Sequence, residues 1–197
     1  MRNIVFDMGN VLINYDPEHF IVREGIADPG DRALLLREIF RSAEWPMQDR
    51  GEMDEAELEA RVLGRIPARL HAAAHRLIFC WDDPIEPVPD MAGFIAECRQ
   101  KGLGIYLLSN ASRRQWEYWP RIPGSEYFDG AVVSAFEGCA KPAPRIYRRL
   151  LERYRLEPGD CLFVDDVPEN VAGGVAAGMK GFLFTGDVEA LRAAAAD

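Results

Sequence analysis

Apolar and polar positions fall into two regimes along this chain. At residues 4–6, and again from Pro84 onward, short apolar runs alternate with segments whose apolar residues recur every three or four positions. Runs of that length read as buried strands, and the wider spacing reads as helices packed on them. The predicted strands are Ile4 to Phe6, Gly104 to Leu108, Ala131 to Val133, Cys161 to Val164 and Gly181 to Phe184. Between them, Pro89 and Asp90 open a helix that turns Met91, Phe94, Ile95 and Cys98 inward and stops at Gly102. Pro144 opens another, with Ile146, Leu150 and Leu151 inward. A third passes through Val171 and Val175, and a last one starts at Asp187 and is expected to fray in the Ala193–Ala196 tail. Strand and helix in alternation predict a parallel sheet covered on both faces.

The stretch from Tyr15 to Asp83 differs. It shows helical spacing only: Leu34, Leu35 and Ile39 in a helix over Asp31–Phe40, then Leu58, Val62 and Ile66 after a capping signal at Asp54 and Glu57, then a helix from Ala68 to Cys80. The expected organisation is therefore an α/β core, a doubly wound parallel sheet built from residues 1–14 and 85–197, with a helical insertion over 15–84 directly after the first strand.

Composition narrows the setting. The 197 residues are 48% hydrophobic and 28% charged, enough apolar matter for a real core. A formal net charge of −9 opposes nucleic acid and anionic membranes as partners. The four cysteines are scattered and form no CxxC pair, which suits reduced thiols. With no targeting signal and no apolar run of membrane length, the expected location is cytoplasmic. Oligomeric state is not readable.

The chemistry sits where strands end. Asp7 follows the first apolar run, and Ser109 and Asn110 follow the second. Lys141 precedes a helix start, and Asp165 and Asp166 follow another strand. In open parallel sheets ligands bind beyond the carboxyl ends of the strands, so these residues share one edge. Each alone reads equally well as a helix cap or a solvated side chain. Together, three carboxylates in one crevice repel unless one protonates or a cation binds, and an all-oxygen ligand set points to Mg²⁺. A carboxylate, Mg²⁺, a hydroxyl and a lysine suit phosphoryl transfer. Asp7 would attack phosphorus and form an aspartyl-phosphate, Lys141 would neutralise the phosphoryl oxygens, and Ser109 with the N–H of Asn110 would hold one of them. The substrate would be a small phosphate ester.

The ordered set Asp7, Ser109, Lys141 and Asp165–Asp166 resembles the four motifs of the haloacid dehalogenase (HAD) superfamily of phosphatases. The details FDMGNV, SNASR followed by YWP, KPAPRIY and VDDVPENV are most similar to the bacterial branch containing α-D-glucose-1-phosphate phosphatase. The resemblance spans essentially the whole chain and implies a Rossmann-like core whose helical insertion is a cap domain. It further implies that Asp7 is nucleophile and magnesium ligand, that Gly9 lends a backbone carbonyl to the metal, and that Asp166 is the direct ligand of the acidic pair with Asp165 assisting. The chain departs from the superfamily in one place. Its phosphatases usually carry a second Asp, the general acid, two residues after the nucleophile, where this chain has Gly9. Water or a cap residue must then protonate the leaving group. If water does, rates should depend steeply on the leaving group and favour a sugar 1-phosphate.

Weaker candidates remain. His71 and His75 have a metal-compatible spacing on a helix but no third ligand in view. Trp45, Asp49 and Arg50 lie in the insertion and are either substrate contacts or packing and surface pairs. Trp116 and Trp119 read as a packed aromatic corner. Two other functions stay open: a dehalogenase-type hydrolase, which needs no metal, and a catalytically weak regulatory or binding protein on the same fold. A receiver domain also combines acidic residues, a hydroxyl and a Lys, but there the acidic pair precedes the phospho-accepting Asp.

Overall fold

The apolar run after the N-terminus forms the middle of the sheet. In the computed structural model, which describes residues 1–196, β1 is Asn3–Phe6, β2 Gly104–Ser109, β3 Gly130–Val133, β4 Cys161–Asp165 and β5 Lys180–Leu183. Every pairing is parallel and the order is β3-β2-β1-β4-β5. Because β1 is flanked on both sides and covered on both faces, Ile4, Val5 and Phe6 are all fully buried. A strand in that position has no solvent face, which is why its sequence is a continuous apolar run.

Five α-helices follow β1 within the insertion: α1 (Pro17–Arg23), α2 (Pro29–Leu35), α3 (Trp45–Asp49), α4 (Glu55–Leu63) and α5 (His71–Phe79). The carboxylates of Asp16, Asp28 and Asp54 cap α1, α2 and α4 by accepting N–H bonds from the first turn. Two of the expected boundaries shift. The helix expected over 31–40 starts at Pro29 and loosens at Leu36 into a π-helical turn, Leu36–Phe40, which keeps Leu35 and Ile39 both buried. Helix α4 stops at Leu63 with Gly64 as its cap, so Ile66 reaches the core from the following turn.

The remaining helices are α6 (Met91–Gln100), α7 (Gln115–Tyr118), α8 (Ser134–Glu137), α9 (Pro144–Tyr154), α10 (Pro168–Ala176) and α11 (Val188–Ala194). The last is helical through Ala194, further into the alanine tail than the sequence suggests, because Val188 and Leu191 anchor it. One apolar cluster takes Ile4 and Phe6 from β1 together with residues of α6 and α11, and it continues into the insertion through Phe20, Leu35, Leu58 and Leu77. A second takes Val5 with Ile146, Tyr147 and Leu150 of α9. The sheet is thus doubly wound, and the insertion packs into the same apolar mass as one face of the core.

A shared core makes the insertion unfold with the sheet. Leu58 is fully buried in that cluster, so Leu58→Ala should destabilise the whole protein by about 2–5 kcal/mol, by lost burial and a cavity. Urea titrations followed by far-ultraviolet circular dichroism and by tryptophan fluorescence should shift together. Two separate transitions would mean that the insertion folds independently.

Candidate active site

Phe6 pairs with Leu107 on one side and Val164 on the other, so Asp7 emerges at the carboxyl edge beside Asp165. Its N–H still donates to the Val164 carbonyl at 2.8 Å, which fixes where the side chain starts. The chain then turns, and the residue in the left-handed region is Asn10 (φ 54°), not Gly9. Asn10 holds the turn with its own side chain: Oδ1 accepts the Tyr15 N–H at 2.9 Å, and Nδ2 donates to Asp166 Oδ2 at 3.0 Å. Gly9 has no positive φ, and a Cβ there would meet only the Tyr15 side chain, no closer than an ordinary 3.6 Å.

Lys141 arrives from the loop between α8 and α9. The side chain of Asn110, just past β2, clamps that loop: Oδ1 accepts the Lys141 N–H at 2.8 Å and Nδ2 donates to its carbonyl at 3.0 Å. The Lys141 side chain is fully buried, and Nζ lies 2.7 Å from Asp7 Oδ1 and 2.7 Å from Asp165 Oδ2. Asp165 is held from behind by Asn170 Nδ2, at 3.1 and 3.2 Å from its two oxygens, and by the Val167 N–H at 2.9 Å. The Asn170 carbonyl in turn accepts the Tyr147 hydroxyl at 2.7 Å. Ser109 ends β2 and is buried, with no hydrogen-bond partner for Oγ among the described residues.

A cavity of about 270 Å³ opens above this arrangement. Asp7, Gly9, Asn110, Lys141, Asp166 and Asn170 form its floor. Trp45, Gln48, Asp49, Glu55 and Trp81 face it from the insertion, and Tyr15, Tyr118, Ile78, Ser112 and Arg114 are also on its wall. Of the weaker candidates, Trp45 and Asp49 therefore border the cavity, whereas Arg50 pairs with Glu52 at 2.8 Å. His71 and His75 engage the Ile66 carbonyl and Glu59 separately. Trp116 meets Trp119 edge to face, with ring centres 6.4 Å apart. Sequence reasoning missed Asn10, Gln48, Glu55 and Asn170. The last left one signal, a polar residue in the first turn of a helix five positions after Asp165.

The model of the haloacid dehalogenase-like hydrolases matches residues 1–178. The chain belongs to that family. As a haloacid dehalogenase-like hydrolase it is similar to a sesquiterpene phosphatase of Aspergillus oryzae, 26% identical over 92% of this chain and 88% of the relative. It is also similar to an N-acylneuraminate-9-phosphatase of Rattus norvegicus, 34% identical over 48% of this chain but only 39% of the relative. Among solved structures, a HAD-family enzyme of Bacteroides thetaiotaomicron, determined with magnesium and inorganic phosphate, superposes with a TM-score of 0.73 at 21% identity, covering 97% of this chain and 98% of that one. That likeness concerns the fold.

The electrostatics of this hydrolase's site are set by burial. Burial pushes the Asp7 carboxyl up to about 7; Lys141 opposes the shift and Asp165 adds to it. Burial works against the Lys141 ammonium as well, but Asp7 and Asp165 outweigh it and raise its pKa. Asp166 is raised by burial, with the Asn10 bond opposing. Oxygens of Asp7, Asp165 and Asp166 lie within 4.8 Å of one another, close enough to share one cation. Carboxylate oxygens fit a hard ion such as Mg²⁺. Both oxygens of Asp165 already accept protein donors, so Asp7 and Asp166 are the carboxylates with more room for it.

Removing the central cation should expose this balance. Lys141→Met leaves Asp7 and Asp165 facing each other without compensation, and breaking such a buried pair costs about 3–5 kcal/mol. Asp7, already raised by burial and by the neighbouring Asp165 charge, would then hold its proton to still higher pH when folded than when unfolded. Protonation relieves the repulsion, so the deficit grows as pH rises above the ordinary carboxylate range. Urea midpoints in EDTA should show a larger loss at pH 8 than at pH 5. An equal loss at both values would mean that packing, not charge, is what Lys141 contributes.

Proposed function

We propose that the protein is a Mg²⁺-dependent phosphatase that hydrolyses a small phosphorylated metabolite through an aspartyl-phosphate on Asp7. The observation that carries this reading is the buried Lys141 ammonium, 2.7 Å from both Asp7 and Asp165, beside a carboxylate trio able to hold a cation. An Asp oxygen is a poor nucleophile toward a phosphate dianion because the two repel. A fixed lysine beside it removes much of that repulsion before any bond forms. Bound between Asp7, Asp166 and the Gly9 carbonyl, Mg²⁺ would neutralise the phosphoryl oxygens and orient the ester in line with Asp7.

Asp7 Oδ attacks phosphorus while the bond to the leaving oxygen breaks. Water then attacks the aspartyl-phosphate at phosphorus, which releases inorganic phosphate and restores Asp7. The buried Ser109 hydroxyl, without a partner of its own, supports its reading as a donor to the phosphate, together with the N–H of Asn110. Asn110 has a further role, since its side chain positions Lys141.

The substrate reading rests on the cavity wall. Trp45 and Trp81 offer flat apolar faces, while Asp49, Glu55 and Gln48 offer hydroxyl partners. Gln48 is buried, and its Nε2 has no partner among the described residues. Faces interleaved with acceptors and donors suit a polyhydroxylated ester such as a sugar phosphate better than an all-carbon chain. The acidic trio also counts against a dehalogenase, whose Asp attacks carbon without a cation.

Asp7→Asn should remove turnover entirely while the protein stays folded, and excess EDTA should do the same reversibly. Asp166→Ala should raise the Mg²⁺ concentration for half-maximal activity more than Asp165→Ala does, because Asp165 chiefly holds Lys141. The check is phosphate release from a panel of phosphorylated metabolites, with 2-haloacids as the contrasting arm. Halide release, or full activity in EDTA, would overturn the reading.

A further inference from the structure

Apart from Arg114, which pairs with Asp82 and Glu117, four side chains on the cavity wall are of a type that can pass a proton to a leaving group: Asp49, Glu55, Tyr15 and Tyr118. Three are poorly suited. Glu55 Oε1 accepts the Ser112 hydroxyl at 2.6 Å, which ties it to the loop after β2. Burial raises the phenols of Tyr15 and Tyr118 well above their ordinary value, so they hold their protons tightly. Asp49 is different. It lies between the cavity that Asp7 opens into and an outer groove lined by Tyr15, Asp16 and Arg41, and its carboxyl forms no hydrogen bond or ion pair with any described residue.

We infer that Asp49, the last residue of α3, is the acid and base of this hydrolase, supplying from the insertion the group that Gly9 leaves out of the nucleophile loop. The inference rests on the phosphatase reading and adds a catalytic residue to it. In the first step Asp7 Oδ forms its bond to phosphorus, the bond to the leaving oxygen breaks, and the Asp49 proton passes to that oxygen to give a neutral alcohol. In the second, the Asp49 carboxylate takes a proton from water as the water oxygen attacks phosphorus. The bond to Asp7 then breaks, phosphate departs, and Asp49 is again protonated.

Two features support the placement. Burial raises the Asp49 carboxyl to about 7; Arg50 and Lys141 oppose this, and Asp7 and Glu55 add to it. A group that titrates near neutrality serves both half-reactions. The backbone also fixes the end of α3 against the core. Gly51 has φ 68°, and a Cβ there would fall inside the carbonyl of Ala135 in α8, so only glycine lets the chain after Asp49 approach so closely. With the Glu55–Ser112 bond four residues further on, the segment bearing Asp49 is fastened to the core next to β2 and β3.

The test compares Asp49→Asn with wild type on p-nitrophenyl phosphate, whose leaving group needs no proton, and on β-glycerophosphate, whose alkoxide does. With the aryl ester the variant should release about one equivalent of nitrophenolate in a rapid burst. Steady turnover should then run roughly 10²–10⁴-fold slower than wild type, because the base is lost. With the alkyl ester it should show no burst, a comparable loss in kcat and little change in KM. The fall of wild-type kcat/KM at high pH should disappear in the variant, and Asp49→Glu should recover part of the rate. Wild-type kinetics in Asp49→Asn, or a higher KM with kcat kept on both esters, would overturn the assignment. A misfolded Asp49→Asn beside a folded Asp49→Glu without recovered turnover would overturn it too. The phosphatase reading fails separately, if the wild-type protein with Mg²⁺ releases phosphate from no ester.

Discussion

A lysine held between two aspartates, out of contact with water, is the constraint on which the site depends. Lys141 Nζ touches Asp7 and Asp165 at 2.7 Å each, and its side chain is fully buried. Charges so placed lose their hydration, and their attraction compensates only where geometry is tight and the remaining hydrogen-bonding capacity is filled. The surrounding structure meets that condition. Asn110 fixes the Lys141 backbone on both its N–H and its carbonyl, while Asn170 and the Val167 N–H fill the lone pairs of Asp165. Tyr147 then reaches across from α9 to hold the Asn170 carbonyl, so the chain of contacts ends in the apolar cluster on that face of the sheet. Rigidity at the lysine is thus inherited from the core.

Topology explains why these groups meet. With order β3-β2-β1-β4-β5, the two strands beside β1 are β2 and β4, and each is followed at its carboxyl end by site residues. Asp7, Asn110 and Asp165–Asp166 arrive from three adjacent strands, a junction where the connections diverge to opposite faces. The insertion leaves β1 at the same edge, which sets it over the cavity. Its helices do not rest there by their own hydrophobicity alone, because their buried residues join those of α6 and α11 in one cluster.

Much of this was legible in the sequence because strands and carboxyl-edge residues leave local signals. A three-residue apolar run ending in Asp, or an apolar run ending in two Asp, marks both the strand and the group it delivers. What escaped was relational. In the loop after Asp7 the left-handed position belongs to Asn10 and not to Gly9, and the Asn10 side chain bonds Tyr15 and Asp166. Both residues suit turns, and only the backbone angles separate them. Asn170 is hidden in a helix because its partner lies at the end of the preceding strand and its value lies in filling lone pairs. The sequence presents Asn110 as a phosphate donor, and the clamp its side chain makes depends on a loop thirty-one residues away. Trp45, Asp49 and Arg50 could be nominated but not sorted, since a five-residue helix has no periodicity long enough to show which side faces the cavity.

That last group bears on how catalysis and specificity divide in this chain. A phosphatase with its acid two residues after the nucleophile keeps all the chemistry on the sheet edge, and its cap is free to vary with the substrate. Here Gly9 stands in that place, and the carboxyl we infer to replace it sits on α3, beside the Trp45 and Gln48 that line the same cavity. Contacts that choose the substrate and a group that moves the proton would then share one short helix. Such a helix has to keep its distance from Asp7 within a fraction of an ångström, because proton transfer needs hydrogen-bond contact with the leaving oxygen. The close seat of Gly51 on Ala135, the Ser112–Glu55 bond and the shared apolar cluster provide that restraint. They also make α3 a poor hinge, because lifting it away would break each of these contacts at once.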